Sequence, residues 1–345
     1  QFRLEGFSVG AIKICSDDDN CGLGGFSRRD LGAGDIAFTV PQTAMLTESL
    51  AVQDSVVAAV ASLLKTYCEE RMPELLVCLR LCRARVEAKD PFHIYATSLP
   101  ATAPGVDSWP MIYRQLLANT SLGPLISAVD EELDHWEKLL NRAADADANI
   151  LKARDTFCRS NLRWARGMLQ SRHFPGTFAG LEDERSPCMV PLLDILNHNG
   201  DAEVNIKIHG GFLEFRCDTA LKYGDQIWNN YGAKGNTELL MCYGFAVESN
   251  EEDSVELSLT GANVTAPMEV RLSIWGLPDE LVCAMQAGEE TGSLHRDDFR
   301  KALELRRDAA KQCLASLPKL LSDHDASITR FRTKSLEAFL KGQIE

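Results

Sequence analysis

The spacing of hydrophobic positions changes several times along the chain. Residues 7–48 contain short β-branched runs separated by glycine-rich turns, which predicts strands. From Ala51 to Ala88 apolar residues recur every three or four positions, which predicts helices, and Pro73 stands where a helix can begin. Residues 90–110 are interrupted by prolines and predict irregular structure.

The same two spacings return in the second half. Helical spacing covers 125–171, strand-like runs cover 189–245, and helical spacing resumes from Glu269 onward. The runs 204–208 and 212–217 flank a His-Gly-Gly stretch, which predicts a hairpin. The order predicts an α+β fold, in which a β domain is interrupted by a helical insertion and followed by a helical second domain.

Composition narrows the classes of partner. The chain has 345 residues with 50 acidic and 36 basic side chains, a formal net charge of -14. A chain this acidic binds nucleic acid or an anionic membrane poorly, so we expect neither as a partner. No apolar run approaches the roughly 18 residues that a membrane-spanning helix requires. A basic partner is the better electrostatic match.

The cysteines indicate the compartment. Eleven cysteines are scattered and none forms a C-x-x-C pair, so we expect no metal site and free thiols in a reducing compartment. The cytoplasm or nucleus fits best. The sequence begins at Gln1 and not at Met, so a plastid location stays open if a transit peptide has been removed.

Two glycine motifs point to chemistry that the surrounding sequence does not support. Gly6–Gly10 matches G-x-S-x-G, but a strand-like run follows where a hydrolase needs a helix, so Ser8 is not expected to be a nucleophile. Cys21–Ser27 matches half of a dinucleotide fingerprint, but Ser27 replaces the third glycine and no helix follows.

Polar groups follow an apolar run near the middle of the chain. Cys188–Leu196 reads as a buried segment, yet it contains Asp194 and leads into Asn197 and His198. Burying such groups costs free energy unless they have partners. Either the segment ends in an ordinary surface turn, or the polar groups belong to a site.

Three segments together favour a site. They are the glycine loop 21–25, the segment 194–198, and the run 224–245 with the pattern Y-G…N-x-E-L-L…Y-G-F. In this order they resemble the SET-domain methyltransferases, in the branch typified by the plant Rubisco large-subunit lysine methyltransferase. The stretch 95–100 with Trp109 beyond it and the stretch 162–172 resemble the same branch, so the resemblance covers about 10–340.

The resemblance implies a split SET domain. We expect its N-terminal part at 1–50, a helical insertion at 51–165 and its C-terminal part at 166–255. A helical substrate-binding domain is expected at 256–345, with its truncation left open. The chain is expected to be a monomer.

The resemblance also implies an activity, namely methylation of a lysine on a non-histone protein with S-adenosylmethionine as cofactor. The substrate is expected to present a basic, lysine-containing segment. Tyr231 is the expected catalytic residue, and Asp194 and Tyr243 are expected to bind substrate. The expected cofactor-binding residues are Gly22, Leu23, Gly24, Ser171, Arg172, Asn197, His198, Tyr231 and Phe245.

These residue types suit the chemistry. Glycines let a backbone approach a cofactor closely, and an arginine can pair with the methionyl carboxylate through two hydrogen bonds. Methyl transfer to an amine needs alignment and exclusion of water, and burial lowers the pKa of a lysine so that it reacts as the neutral amine. In the family the tyrosine hydroxyl, here that of Tyr231, orients the reacting groups. Cys21 departs from the glutamate that the family often has there, which weakens one expected contact.

Two alternatives stay open. The actin-modifying histidine methyltransferases share this architecture, but they have Trp before the aspartate of the D-x-x-N-H segment and lack the tyrosine of Y-G-F. Leu193 and Tyr243 stand at those positions here, which favours lysine. The other alternative is a protein-recognition module that kept the fold without catalysis, and retention of Tyr231, Asn197 and His198 argues against it.

Overall fold

The computed structural model describes residues 12–17, 22–65, 71–259, 268–273, 277–291, 296–320 and 326–344. Ser8 and Cys21 lie outside the described residues. The strands are β1 Ile12–Asp17, β2 Gly22–Ser27, β3 Ile36–Pro41, β4 His173–Pro175, β5 Pro187–Met189, β6 Asn205–His209, β7 Phe212–Arg216, β8 Gln226–Ile227, β9 Ser254–Leu259 and β10 Met268–Ser273.

Helices separate the two groups of strands and dominate the C-terminal part. They are α1 Glu48–Ala51, α2 Ser55–Leu64, α3 Met72–Val86, α4 His93–Ser98, α5 Met111–Leu116, α6 Leu122–Ala146, α7 Ala148–Lys152, α8 Arg159–Arg172, α9 Asn236–Tyr243, α10 Asp279–Thr291, α11 Arg296–Leu320 and α12 Ala326–Gly342. The predicted α+β class is confirmed, and Pro73 lies in the first turn of α3 as the sequence indicated.

The structure corrects the predicted elements at three places. Residues 90–110 are not wholly irregular, because α4 forms between the prolines after the Asp90 carboxylate accepts a hydrogen bond from the Phe92 N–H at 2.8 Å. The β-rich stretch 189–245 contains α9, which ends where Gly244 adopts a φ of +77°. Glu269 lies in β10, so the predicted helical tail is preceded by a hairpin.

The chain divides into two compact units. The first contains residues 1–104 and 130–232, and the second contains 105–129 and 233–345. The domain boundaries expected from the sequence, at 50, 165 and 255, stay a prediction. None of the helices in the described ranges combines the length and apolar character that a bilayer crossing requires.

Within its described residues, the first unit contains three small sheets. Their strand orders are β1-β2-β8, β3-β7-β6 and β4-β5. The predicted hairpin is confirmed as β6 and β7, with Gly210 and Gly211 at positive φ in its turn. Phe38 of β3 faces Phe215 of β7, and their rings stack with centroids 5.1 Å apart in the hydrophobic core.

The second unit is built around helices. Buried side chains of α5, α6, α9, α11 and α12 form one core, in which Leu122, Leu240, Leu336 and Phe339 are fully enclosed. The hairpin of β9 and β10 forms a smaller core with Leu281 of α10. The apolar side chains that gave the tail its helical spacing, where the structure describes them, therefore pack in the cores of this unit.

The glycine segment, which was expected to be a loop, forms strand β2. It pairs with β1 on one side and with β8 on the other. A methyl group on Gly25 would lie 2.4 Å from Leu196 Cδ2 and 2.7 Å from Ile12 Cδ1. Glycine is therefore required here by close packing, which brings β2 against the Leu196 segment.

We predict that Gly25→Ala lowers the free energy of unfolding by about 2 kcal/mol, because Leu196 and Ile12 are each 1% exposed and cannot move aside. Urea denaturation measures the effect. Gly32→Ala is the matched control, because a methyl group there meets its nearest atom, Asp35 Oδ2, only at 3.6 Å. Equal losses in the two variants would contradict the packing argument.

Candidate active site

The polar residues that follow the apolar run lie on a tight turn. After β5 the chain enters a 3-10 turn, Leu193–Ile195, so the three-residue period buries Val190, Leu193 and Leu196 on one side. Leu192 precedes this turn with a φ of +73°. A leucine in that region is strained by about 1–3 kcal/mol, and such strain often accompanies a functional site.

Backbone pairing joins this turn to the segment that carries Tyr231. Asn229 N–H donates to the carbonyl of Asn197 at 2.8 Å, and Asn199 N–H donates to the carbonyl of Asn229 at 2.9 Å. His198 and Asn229 form a parallel bridge. Asn230 extends the connection through its amide, which donates to the carbonyl of Gly200 at 2.9 Å. The polar residues Asn229 and Asn230, which precede Tyr231, therefore hold the two segments together.

Tyr231 is held at both ends. Its backbone N–H donates to His198 Nδ1 at 3.1 Å, and its hydroxyl donates to the carbonyl of Leu196 at 2.9 Å. The rings of His198 and Tyr231 lie 5.0 Å apart. Because His198 Nδ1 accepts a hydrogen bond, the neutral imidazole carries its proton on Nε2. The predicted residues His198 and Tyr231 are therefore direct partners.

Gly24 brings β2 into the same place. A methyl group on Gly24 would lie 2.9 Å from Gln226 Nε2 and 3.1 Å from Asn197 Nδ2. The absence of a side chain thus allows the side-chain amides of Asn197 and Gln226 to approach the strand. Three of the segments that resemble the family, around Gly24, Asn197 and Tyr231, meet in the first unit.

Asp194 has the partners that its burial requires. Its side chain is 4% exposed, and Oδ2 accepts a hydrogen bond of 2.6 Å from the Tyr95 hydroxyl. Arg172 Nη1 donates to the carbonyl of Asp194 and lies 4.0 Å from Oδ2. Arg172 Nε is buried, and among the described residues none accepts a hydrogen bond from it. This N–H group can donate to an acceptor on a ligand.

Burial controls the protonation of these groups. Burial raises the pKa of Tyr231 to about 12, an effect that Arg172 opposes and Asp194 reinforces. The phenol is therefore protonated at neutral pH and can act as a hydrogen-bond donor but not as a base. Burial also raises the pKa of Asp194, whereas Arg172 and the hydrogen bond from Tyr95 act in the opposite direction.

The other predicted residues have less specific surroundings. Gly22 and Leu23 are exposed on β2. The Ser171 hydroxyl donates to the carbonyl of Gly167 at 2.9 Å, one turn earlier in α8. Tyr243 and Phe245 belong to the second unit, where their ring centroids lie 6.2 Å apart.

Sequence reasoning missed several residues that the structure places beside the predicted ones. Tyr95 donates a hydrogen bond to Asp194, and the side-chain amide of Gln226 lies close to Gly24. The sequence analysis assigned no role to either residue. Tyr95 lies in the stretch 95–100 that resembled the family, so the sequence marked the segment but did not indicate a role for this residue. Gln226 likewise lies in the run 224–245, where it had no assigned role.

Asn236, the asparagine of the N-x-E-L-L pattern, organises the loop that follows Phe245. It is 2% exposed, and its side-chain amide donates to the carbonyl of Val247 at 3.0 Å and to Asp253 Oδ2 at 2.9 Å. Its side-chain oxygen accepts from Val247 N–H at 2.8 Å. The Asp253 carboxylate also accepts from the backbone N–H of Ser254 at 2.9 Å. Asp253 therefore has a structural role within the acidic stretch 248–253.

Comparisons with known proteins identify the fold. No protein-family model matches the chain. A solved structure of Rubisco LSMT bound to sinefungin and monomethyllysine superposes with a TM-score of 0.73 and 19% identity, covering 98% of this chain and 87% of that one. At this level of identity the superposition establishes the fold, which is that of the SET domain of LSMT with a helical C-terminal region.

The chain spans only part of the length of the relatives that it matches in sequence. The ribosomal lysine N-methyltransferase set10 of Schizosaccharomyces pombe is 29% identical over 141 residues, which are 39% of this chain and 24% of that protein. The N-lysine methyltransferase SETD6 of Bos taurus is 24% identical and the actin-histidine N-methyltransferase of Danio rerio 23% identical. They match 79% and 78% of this chain, which spans 62% and 45% of their own lengths.

We predict that Asn236→Ala lowers the free energy of unfolding by about 2 kcal/mol, because Val247 and Asp253 lose buried hydrogen-bond partners. Chemical denaturation followed by circular dichroism measures the loss. Asn119→Ala, at an exposed position of the same unit, serves as the control and is expected to change stability by less than about 0.5 kcal/mol. An Asn236 variant as stable as the control would show that the amide is dispensable.

Proposed function

We propose that this chain, which has the SET-domain fold of the Rubisco lysine methyltransferase, methylates a lysine side chain of a non-histone protein with S-adenosylmethionine. The observation that carries the proposal is the convergence of Gly24, Asn197, His198 and Tyr231 in one unit, beside the buried Arg172 Nε. The chain spans only part of the relatives' length, so their activity supports the proposal by similarity.

The residues present fit a nucleoside that carries an amino acid. Gly24 has no side chain, which lets the amides of Asn197 and Gln226 lie against β2 within the candidate site. Arg172 Nε has a hydrogen to donate, and a carboxylate is the acceptor that a guanidinium binds best. His198, with its proton on Nε2, offers one further donor.

Tyr231 acts by orientation. S-adenosylmethionine, when bound, supplies a methyl group on a positively charged sulfur. The attacking lysine must arrive as a neutral amine, and an environment that excludes water lowers its pKa to allow this. Tyr231 stays protonated because burial raises the pKa of its phenol to about 12, so its hydroxyl aligns the reacting groups and does not remove the proton.

A lysine substrate is favoured over a histidine. The zebrafish relative is named an actin-histidine methyltransferase, and the bovine and fission-yeast relatives are named lysine methyltransferases. Leu193 stands where the histidine-modifying subgroup has Trp, and Tyr243 stands where that subgroup lacks Tyr.

The free state of all eight cysteines whose side chains the structure describes supports the expected reducing compartment.

The first test measures cofactor binding and turnover in Tyr231→Phe. Calorimetry should show that the wild type and the variant bind S-adenosylmethionine equally, while turnover falls about a hundredfold because alignment is lost. Substrates come from labelling a proteome extract with radioactive cofactor and identifying the methylated peptides by mass spectrometry.

Tyr223→Phe is the matched control, because it also removes a tyrosine hydroxyl, but from a side chain that is 67% exposed and has no role in the candidate site. Wild-type turnover in Tyr231→Phe would remove the catalytic assignment. The absence of both heat and a thermal shift with S-adenosylmethionine in the wild type would favour a non-catalytic recognition module.

We infer that the acidic stretch 248–253, which follows Tyr243, guides a basic substrate segment. Glu248, Glu251 and Glu252 are exposed, whereas Asp253 is committed to Asn236 and Ser254. Exposed carboxylates increase the association rate of a basic partner, and salt screens the effect.

We expect Glu248→Gln combined with Glu251→Gln and Glu252→Gln to raise KM for the protein substrate at low salt and to leave cofactor affinity unchanged. Measuring KM at low and high salt tests this, since the difference from wild type should vanish at high salt. A control with the same charge change at Glu131, Glu182 and Glu184, which are also exposed, separates a local effect from a change in net charge. Equal KM values at low salt would exclude the stretch from the substrate path.

A further inference from the structure

A tyrosine from the helical region reaches the candidate site. Tyr95 lies on α4 and is 4% exposed, and its hydroxyl donates a 2.6 Å hydrogen bond to Asp194 Oδ2. The two residues are 99 positions apart in sequence. Their hydrogen bond is short, as is typical of a hydroxyl that donates to a carboxylate.

Both ends of this contact are held in place. His93 Nδ1 lies 2.8 Å from the carbonyl of Ala84, which attaches the start of α4 to α3. On the other side, Asp194 N–H donates to the carbonyl of Val190 at 3.1 Å. Tyr95 therefore determines the direction in which the Asp194 carboxylate points.

That direction matters for Arg172. Asp194 Oδ2 lies 4.0 Å from Arg172 Nη1, beyond hydrogen-bonding distance, although Nη1 donates to the backbone carbonyl of the same residue. An oppositely charged pair at this separation and in this degree of burial attracts strongly. The carboxylate would turn to the guanidinium if no other donor held it.

We propose that Tyr95 is a positioning residue, which holds the Asp194 carboxylate away from Arg172 and so keeps the guanidinium available to a ligand that carries a carboxylate. This inference rests on the proposed function, in which the ligand is the methionyl part of the cofactor. Without the Tyr95 hydroxyl, Asp194 is too buried for water to replace the lost donor, and Arg172 Nη1 lies only 4.0 Å from its Oδ2. The internal ion pair then competes with the ligand.

The test compares two nucleosides that differ in the carboxylate. S-adenosylhomocysteine carries the amino-acid group, whereas 5′-methylthioadenosine retains the adenosine and the thioether without it. For Tyr95→Phe we expect the Kd of S-adenosylhomocysteine to rise about tenfold and that of 5′-methylthioadenosine to stay within about twofold of wild type. Isothermal calorimetry on the full chain measures both.

Two further variants complete the experiment. Tyr113→Phe removes the hydroxyl of a buried tyrosine of the second unit and should leave both Kd values unchanged. Asp194→Asn combined with Tyr95→Phe removes the competing charge and should restore the affinity for S-adenosylhomocysteine. Thermal unfolding of each variant shows whether it is folded.

The outcomes separate the two proposals. If the wild type binds S-adenosylhomocysteine and Tyr95→Phe binds it equally well, only the role of Tyr95 is wrong. Equal weakening of both nucleosides, or a double variant that stays as weak as Tyr95→Phe, also overturns the positioning role in favour of a purely structural one. If the wild type binds neither nucleoside, the proposed function is wrong and the role of Tyr95 with it.

Discussion

The candidate site depends on one short piece of parallel backbone pairing. Residues 197–199 and Asn229 exchange two hydrogen bonds, and this pairing places Tyr231 beside His198 and under the carbonyl of Leu196. The two segments lie about thirty positions apart in sequence, with the β6–β7 hairpin between them. The acceptors of the two hydrogen bonds that Tyr231 donates, His198 Nδ1 and the Leu196 carbonyl, lie in or next to the paired segment. A change of register would therefore break the hydrogen bonds of the hydroxyl and of the backbone N–H together.

Packing around glycine brings the third component to this pairing. Gly25 allows Leu196 to lie against β2, and Gly24 allows Asn197 and Gln226 to do so. The two glycines act in different ways, since one accommodates apolar side chains of the core and the other accommodates polar amides. Hydrophobic packing and candidate ligand contacts therefore occupy adjacent positions of the same strand, which links the stability of β2 to the shape of the site.

The sequence was sufficient to predict the α+β class, the hairpin at β6 and β7 and the start of α3. It also grouped Asn197, His198 and Tyr231, which lie on the paired segments, while their roles stay a prediction. Those predictions used local periodicity and the order of motifs. The contact between Tyr95 and Asp194 could not be predicted, because nothing in local spacing relates residues 99 positions apart. The glycine segment was interpreted as a loop because glycine disfavours strands, and only the close approach of Leu196 explains why a strand requires it here. Helix α9 has eight residues, too few to establish a helical period between strands.

Burial of Tyr231 has a consequence for how the chain would respond to its surroundings. A phenol whose pKa is raised to about 12 keeps one protonation state across the whole range of pH found in cells. A group that does not titrate contributes no inflection to a rate profile. If the chain has the proposed function, a change in rate between mildly acidic and mildly alkaline conditions would come from other groups, among them the substrate amine, which must be neutral to react. Under the proposed function, two protein substrates whose target lysines have different pKa values would therefore reach their full rate at different pH.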